Sequence, residues 1–213
     1  MFILPQTLIF PPVSMADDDG LIGIGGDLSV DRLLLAYRSG IFPWYNADEP
    51  ILWYSPNPRF VLHPDELKVS KSMQTLIRKE AWTFTVNQDF ASTIRQCRIT
   101  KRKDQTGTWI HDAMEEAYIR LHEAGNAISA ECWCKGELIG GLYGVQLDRV
   151  FCGESMFSLE KNASKFAFIH VVTYLKELGI QLIDCQVHTD HLESLGARMI
   201  SRDTFLTYLN EVT

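Results

Sequence analysis

The residues with the clearest chemical potential lie in the stretch 182–188, Leu-Ile-Asp-Cys-Gln-Val-His, after a predicted helix stop at Gly179. Its short apolar run is typical of a buried strand. Asp184 and Gln186 are two positions apart, so a regular strand would point both side chains to the same face. A buried polar group without a partner costs about 1–3 kcal/mol. The carboxylate and the carboxamide therefore either satisfy each other and nearby backbone or act together on a substrate.

A dense cluster of basic side chains follows the end of a helix predicted over residues 89–98. It consists of Arg95, Arg98, Lys101, Arg102 and Lys103. Two interpretations are open, because cations at a helix end suit the helix dipole and solvent, and they equally suit a phosphate backbone. The net charge of −7 opposes general attraction to nucleic acid. Any nucleic-acid contact must therefore be a local patch.

Aromatic residues and prolines are concentrated in segments 41–45 and 51–59, which include Trp44 and Trp53. The segments are interpreted either as a packed loop that caps a larger domain or as a wall for a flat ligand such as a base, since aromatic faces stack well. The residues alone give both interpretations equal support. The prolines predict a domain boundary near residue 60.

The cysteines and histidines do not have the spacing of a metal site. The five cysteines are scattered, which indicates reduced thiols and a cytoplasmic location. Cys132 and Cys134 have no second pair at ligand spacing, and His188 and His191 do not form a His-Glu-x-x-His motif. We therefore expect no metal. The sequence also has no apolar run that could span a membrane and no signal-peptide pattern, so we expect no membrane partner.

The order of the predicted elements indicates an α+β fold in two domains. We expect residues 1–60 to form a small N-terminal domain and residues 61–213 to form a larger mixed-sheet domain. In the second domain a strand and helices precede a meander of strands, followed by a strand–helix–strand unit, as in N-acetyltransferases (GNAT-type). An acetyl-CoA enzyme should have a glycine-rich loop before the long helix, and residues 158–165 contain no glycine. A different acyl donor is therefore indicated.

The sequence resembles the leucyl/phenylalanyl-tRNA–protein transferases of bacteria in a series of motifs that span nearly the whole chain in order. No single motif is decisive, but the set is highly specific. The matching segments are Gly-Gly-Asp-Leu-Ser at 25–29, Gly-Ile-Phe-Pro-Trp at 40–44, Ile-Leu-Trp-Tyr-Ser-Pro at 51–56, Gly-Thr-Trp-Ile at 107–110, Glu-Leu-Ile-Gly-Gly-Leu-Tyr-Gly-Val at 137–145, Phe-Cys-Gly-Glu-Ser-Met-Phe-Ser at 151–158, Asn-Ala-Ser-Lys at 162–165 and Leu-Ile-Asp-Cys-Gln at 182–186.

The resemblance implies a transfer of Leu or Phe, and less readily Met, from aminoacyl-tRNA to the α-amine of a protein that begins with Arg or Lys. The product is an N-terminal degradation signal. Such an enzyme has an acetyltransferase-like domain, uses no cofactor or metal, and binds tRNA in place of coenzyme A. We expect it to act as a monomer.

The resemblance also implies roles for individual residues. Asp184 and Gln186 are expected at the reacting centre, with Asp184 orienting Gln186. Glu154 is expected to hold a cationic group of the acceptor, since charge-assisted hydrogen bonds favour Arg or Lys. The terminal adenosine of the tRNA is expected to stack on Trp44 and Trp109. The expected pocket for the transferred side chain consists of Leu142, Met156, Phe168 and Ile183, and the basic cluster becomes the candidate for the tRNA backbone.

Three alternative functions must be distinguished from this one by experiment. An acetyl-CoA-dependent N-acetyltransferase would bind acetyl-CoA, although the glycine loop is missing. A non-catalytic RNA-binding module would keep the basic cluster and the tryptophans but have no use for Asp184, Gln186 and Glu154 together. A cell-wall transferase that uses aminoacyl-tRNA shares the fold type, but such chains are usually longer.

Overall fold

A computed structural model describes residues 2–100 and 110–210, which form two β-sheets and seven α-helices. The smaller sheet has the strand order β1-β2-β4-β3. Its strands are β1 (Phe2–Leu4), β2 (Leu21–Gly25), β3 (Phe42–Pro43) and β4 (Leu52–Tyr54). Helix α1 (Val30–Arg38) begins at Ser29, whose side chain accepts a hydrogen bond from the backbone N–H of Arg32.

The larger sheet has seven strands in the order β11-β5-β10-β9-β8-β7-β6. They are β5 (Arg59–Leu62), β6 (Thr83–Val86), β7 (Ala127–Cys134), β8 (Glu137–Gln146), β9 (Val150–Ser158), β10 (Leu182–Gln186) and β11 (Arg198–Ile200). The remaining helices are α2 (Lys71–Arg78), α3 (Phe90–Ile99), α4 (Asp112–Glu123), α5 (Ala163–Glu177), α6 (Asp190–Glu193) and α7 (Arg202–Asn210). Strands β9 and β10 are parallel and joined through α5, whereas the other described pairs of this sheet are antiparallel.

The larger sheet opens between β9 and β10. The two strands pair only where Val150–Cys152 faces Leu182–Asp184, and each continues beyond that point without the other. A meander, a β9–α5–β10 unit and an opening at its parallel pair make up the acetyltransferase-like architecture. The predicted fold class, α+β with a GNAT-type mixed sheet, is confirmed.

The hydrophobic core lies on both faces of the larger sheet. One cluster, which includes Phe60, Val172 and Leu175, packs α5 against one face. The other cluster is continuous from the smaller sheet, through Trp53, to Ile94 and Met114 of α3 and α4. Because this cluster joins the two sheets, the boundary near residue 60 remains a prediction.

The turn after α1 brings the smaller sheet close to the C-terminal helix. Gly40 has a φ of +73°, and a Cβ there would lie 2.8 Å from a methyl carbon of Leu206 in α7. Glycine fits because it adopts this backbone conformation without strain and leaves room for α7. Within 2–100 and 110–210, no helix is long and apolar enough to cross a membrane.

Candidate active site

A cavity of about 570 Å³ occupies the opening between β9 and β10. Its walls are built from residues 153–158 of β9 and 183–187 of β10 and the turn after it, and α5 and β3 close its ends. Leu142, Met156, Phe168 and Ile183, the residues expected to hold the transferred side chain, all line it. The fold therefore brings the four apolar side chains together beside Asp184, Gln186 and Glu154, which line the same cavity.

Asp184 is fully buried and forms an ion pair with Arg59 of β5, which is 1% exposed. The guanidinium Nε donates to Oδ1 at 2.8 Å, and Nη2 donates to Oδ2 at 2.7 Å. Burial lowers the pKa of Arg59, but the charge and hydrogen bonds of Asp184, together with smaller electrostatic contributions from Cys152 and Glu154, raise the pKa above its ordinary value. Arg59 therefore stays charged, and its two contacts give each oxygen of Asp184 a hydrogen-bond donor.

Gln186 ends β10 in an irregular conformation. Its φ is +64°, the pairing register of β10 with β5 shifts between Asp184 and Gln186, and the N–H of Val187 donates to the carbonyl of Cys185 at 2.7 Å. This is a γ-turn centred on Gln186, a conformation that costs on the order of 1–3 kcal/mol. The predicted strand is confirmed as β10 (Leu182–Gln186), but it is not regular through both polar residues, because the chain turns at Gln186.

The γ-turn gives the two polar residues different side-chain partners. The backbone N–H of Gln186 donates to Oδ1 of Asp184 at 2.9 Å. Its side-chain Nε2 donates instead to Oε1 of Glu154, across the cleft on β9, at 2.6 Å. Asp184 thus contacts the backbone of Gln186, while Glu154 contacts its amide.

Glu154 is surrounded by neutral hydrogen-bond donors. Its Oε2 accepts from the hydroxyl of Tyr118 in α4 at 3.0 Å, and this hydroxyl also bonds to that of Tyr37 in α1. Burial raises the pKa of the Glu154 carboxyl to about 7, although hydrogen bonds from Tyr37 and Tyr118 act in the opposite direction. A carboxyl of this kind exchanges a proton near neutral pH.

The rim of the cavity carries Trp44, which is 44% exposed and packs edge-on against Tyr54 at a centroid distance of 5.9 Å. Nearly half of this side chain is therefore accessible at the mouth of the cavity. Trp109, the second expected stacking residue, lies outside the residues that the structure describes.

The basic cluster is only partly described. Arg95 is exposed and lies 3.4 Å from Glu115 of α4, while Arg98 pairs with both Glu115 and Asp112. These acidic partners compete with a phosphate for the two arginines. Lys101, Arg102 and Lys103 lie outside the described residues, so the role of the cluster in binding tRNA remains a prediction.

A group of potential metal ligands lies next to the cavity. Among residues 2–100 and 110–210, His188, Asp190 and Glu193 bring ligand atoms within 4.8 Å of one another, and all three side chains are exposed. Nε2 of His188 is 3.3 Å from the carboxylate of Glu193. The expectation that no metal is needed remains a prediction.

Three buried residues of the site are not among the sequence-based candidates: Arg59, Tyr37 and Tyr118. The available signal for Arg59 is a charged residue immediately before the apolar run Phe60–Leu62. The two tyrosines sit on the apolar faces of helices, where a packing role is the more frequent explanation. Only the fold places their hydroxyls beside Glu154.

An apolar cavity in a split mixed sheet, with an amide and a carboxyl of raised pKa on its walls, is typical of an acyltransferase. Two family models match the chain: "Leucyl/phenylalanyl-tRNA protein transferase" over residues 61–210 and its N-terminal domain over residues 26–57. The chain belongs to the leucyl/phenylalanyl-tRNA protein transferase family.

Curated relatives agree over almost the full length. The leucyl/phenylalanyl-tRNA–protein transferase of Syntrophobacter fumaroxidans is 55% identical, covering 99% of this chain and 90% of its own. That of Flavobacterium johnsoniae is 53% identical, covering 98% of this chain and 99% of its own.

Solved structures with similar folds are more distant in sequence. One is L-PGS from Bacillus licheniformis, with a TM-score of 0.45, 14% identity, and coverage of 79% of this chain and 53% of that chain. Another is a GCN5-related N-acetyltransferase from Kribbella flavida, with a TM-score of 0.43, 10% identity, and coverage of 79% and 60%.

Proposed function

We propose that this chain transfers Leu or Phe, and less readily Met, from aminoacyl-tRNA to the α-amine of proteins whose first residue is Arg or Lys. The product is an N-terminal degradation signal. Family membership supports the reaction class. The observation that carries the proposal is the 2.6 Å hydrogen bond between Gln186 and Glu154 at the wall of an apolar cavity.

The reaction requires positioning and proton removal more than covalent help. The amine nitrogen attacks the ester carbonyl carbon, the new C–N bond forms, and the ester C–O bond to the terminal ribose breaks. The ribose oxygen leaves with a proton, and the amine loses one. Correct orientation of two reactants and a suitably placed base account for most of the rate in such a reaction.

Glu154 is proposed to bind the cationic acceptor and to remove a proton from its α-ammonium group. The pKa of a free α-amine is about 7.7–8.0, and that of Glu154 is raised to about 7. Because the two values are close, proton transfer between these groups is nearly balanced. The negative charge of the carboxylate also attracts an acceptor whose first residue is Arg or Lys.

Gln186 is proposed to orient the amine. Its Nε2 donates to the carboxylate of Glu154, which accepts hydrogen bonds when ionised. The remaining polar atom of the amide, Oε1, is proposed to accept a hydrogen bond from an N–H of the attacking amine. An amide is a weak base, so the contribution of Gln186 is geometric. Asp184 is proposed to orient Gln186 through its backbone N–H.

The donor is proposed to enter the cavity with its apolar side chain first. Leu142, Met156, Phe168 and Ile183 offer an apolar lining for Leu, Phe or Met. The terminal adenosine is proposed to stack on Trp44 and Trp109, and the tRNA backbone to contact the basic cluster of Arg95, Arg98, Lys101, Arg102 and Lys103. The tRNA thus takes the position of coenzyme A, and no cofactor is needed. We also propose that the chain works as a monomer in the cytoplasm.

The test is the transfer of radiolabelled leucine from leucyl-tRNA to a peptide with N-terminal Arg, beside an otherwise identical peptide with N-terminal Ala. We expect label on the Arg peptide alone, and strongly reduced but measurable transfer with the Gln186→Ala variant. Parallel incubations replace leucyl-tRNA with labelled acetyl-CoA. Acetylation of either peptide, or tRNA binding by the folded protein without any transfer, contradicts the proposal.

A further inference from the structure

Arg59 is a buried charged residue for which the proposed chemistry has no direct use. It begins β5, is 1% exposed, and does not line the cavity. Moving a guanidinium out of water is costly unless its charge and its hydrogen-bond donors are satisfied. The contacts of the guanidinium should therefore explain why an arginine is buried at this position.

The guanidinium of Arg59 is fixed along its edges and on its faces. Two of its nitrogens bond to the two oxygens of Asp184, and Nη1 lies 3.4 Å from the carbonyl oxygen of Gly40. The ring centroids of Phe42 and Phe205 lie 4.7 Å and 4.6 Å from its central carbon. Cation–π contacts and a bidentate carboxylate together restrict the orientation of this group.

Asp184, the partner of Arg59, also stabilises the γ-turn at Gln186. Oδ1 of Asp184 accepts hydrogen bonds from Nε of Arg59 at 2.8 Å and from the backbone N–H of Gln186 at 2.9 Å. Gln186 has a φ of +64°, which a non-glycine residue adopts only where its surroundings enforce it. The γ-turn directs the amide of Gln186 toward Glu154.

We infer that Arg59 is a positioning residue of the transfer reaction. It fixes Asp184, Asp184 fixes the backbone of Gln186, and this backbone sets the place of the reacting amide. Asp184 acts as an anchor in this chain of contacts, because each of its oxygens already accepts a hydrogen bond from Arg59. The inference rests on the proposed function.

The test compares Arg59→Lys with Arg198→Lys. Arg198 of β11 pairs with Glu66 through two contacts of 3.0 Å, but this pair is exposed and does not line the cavity. Lysine keeps the charge and loses the two-pronged contact. We expect kcat to fall at least about tenfold in Arg59→Lys, since a displacement of ~1 Å at a reacting group can cost about 100-fold. We expect KM for aminoacyl-tRNA to stay within about twofold, and Arg198→Lys to match the wild type.

A double-variant comparison separates positioning from a general loss of structure. If Arg59 acts only through Gln186, adding Arg59→Lys to Gln186→Ala lowers kcat by less than about twofold, because the group to be positioned is gone. Losses that multiply would overturn the inference. If Arg59→Lys does not fold, Phe205→Leu replaces it, since this variant removes one ring from the guanidinium and keeps every charge paired. Its expected loss of kcat is about two- to fivefold, with the same dependence on Gln186.

A spectroscopic measurement tests the positioning without relying on transfer. The side-chain amide signal of Gln186 is assigned in ¹⁵N NMR spectra by its disappearance in Gln186→Ala. We expect this signal to shift or broaden in Arg59→Lys, or in Phe205→Leu, and to stay in place in Arg198→Lys. An unchanged signal contradicts the inference. A wild-type protein that transfers nothing contradicts the proposed function instead, while the NMR comparison still decides the role of Arg59.

Discussion

The two walls of the cleft each carry one buried carboxyl group, and they differ in what faces it. On the β10 wall, Asp184 faces the guanidinium of Arg59 at 2.7–2.8 Å and is fully buried. On the β9 wall, the described partners of Glu154 are neutral: the hydroxyl of Tyr118 and the amide of Gln186. The same chemical group is therefore held by a cation on one side and by dipoles on the other.

This difference assigns the two carboxyl groups different physical roles. A carboxylate that is paired with a buried guanidinium stabilises the fold only while the geometry of the ion pair is kept. A buried carboxyl without a cation has a raised pKa, which for Glu154 is about 7. We therefore propose that Asp184 on the β10 wall has a positioning role and that Glu154 on the β9 wall exchanges a proton.

The largest expected difference concerns stability. Asp184→Ala leaves the buried Arg59 without its counter-ion, so we expect the free energy of unfolding to fall by about 3–5 kcal/mol. Glu154→Gln keeps a hydrogen-bonding group of the same shape, so we expect a change below about 1.5 kcal/mol. Urea denaturation at neutral pH measures both. Equal losses in the two variants would remove the distinction between the walls.

The next expected difference concerns the rate. If Glu154 removes the proton, Glu154→Gln lowers kcat by about 10²–10⁴-fold, the usual contribution of a general base. In the wild type, kcat/KM should rise with pH through about 7, where Glu154 ionises. The acceptor amine also titrates in the neutral range, so the measured quantity is the ratio of wild-type to variant rates at each pH. A ratio that does not change with pH contradicts the role of Glu154 as a base.

A smaller effect of the same carboxyl is expected in the pH dependence of stability. The pKa of Glu154 is raised in the folded state from 4.5 to about 7. Between these values the folded chain binds a proton that the unfolded chain has released, so the stabilisation is complete below pH 4.5 and is lost as the pH approaches 7. We expect the stability of the wild type to decline relative to Glu154→Gln over this window. A constant difference, measured by thermal unfolding, contradicts the raised pKa.

The sequence predicts most of the elements of the larger sheet, because their signals are local. The helix predicted over residues 89–98 is observed as α3 (Phe90–Ile99), and the buried strand predicted after Gly179 is observed as β10 (Leu182–Gln186). Asp184 and Gln186 are conspicuous because they are polar residues in an apolar strand. Periodicity and polarity are sufficient for these inferences.

The partners of the two carboxyl groups could not be predicted from the sequence. Arg59 and Asp184 are 125 positions apart, and Tyr118 and Glu154 are 36 positions apart. These contacts depend on the order of strands in the folded sheet. The γ-turn at Gln186 also has no local signal, because glutamine does not favour a positive φ. Tertiary contacts with Asp184 and Glu154, and not local preference, stabilise this turn.

The smallest expected effect concerns the hydroxyl of Tyr118. Tyr118→Phe removes a hydrogen bond that favours the ionised form of Glu154, so the pKa of Glu154 should rise further above its ordinary value. We expect a loss of stability of about 0.5–1.5 kcal/mol and a displacement of the rise in kcat/KM to higher pH. Tyr208→Phe, in α7, is the control, because Tyr208 packs against His63 and does not line the cavity. A displacement to lower pH would mean that the hydroxyl of Tyr118 favours the protonated form of Glu154. The tyrosine would then oppose the proposed role of Glu154, because a carboxyl that keeps its own proton cannot remove one from the acceptor.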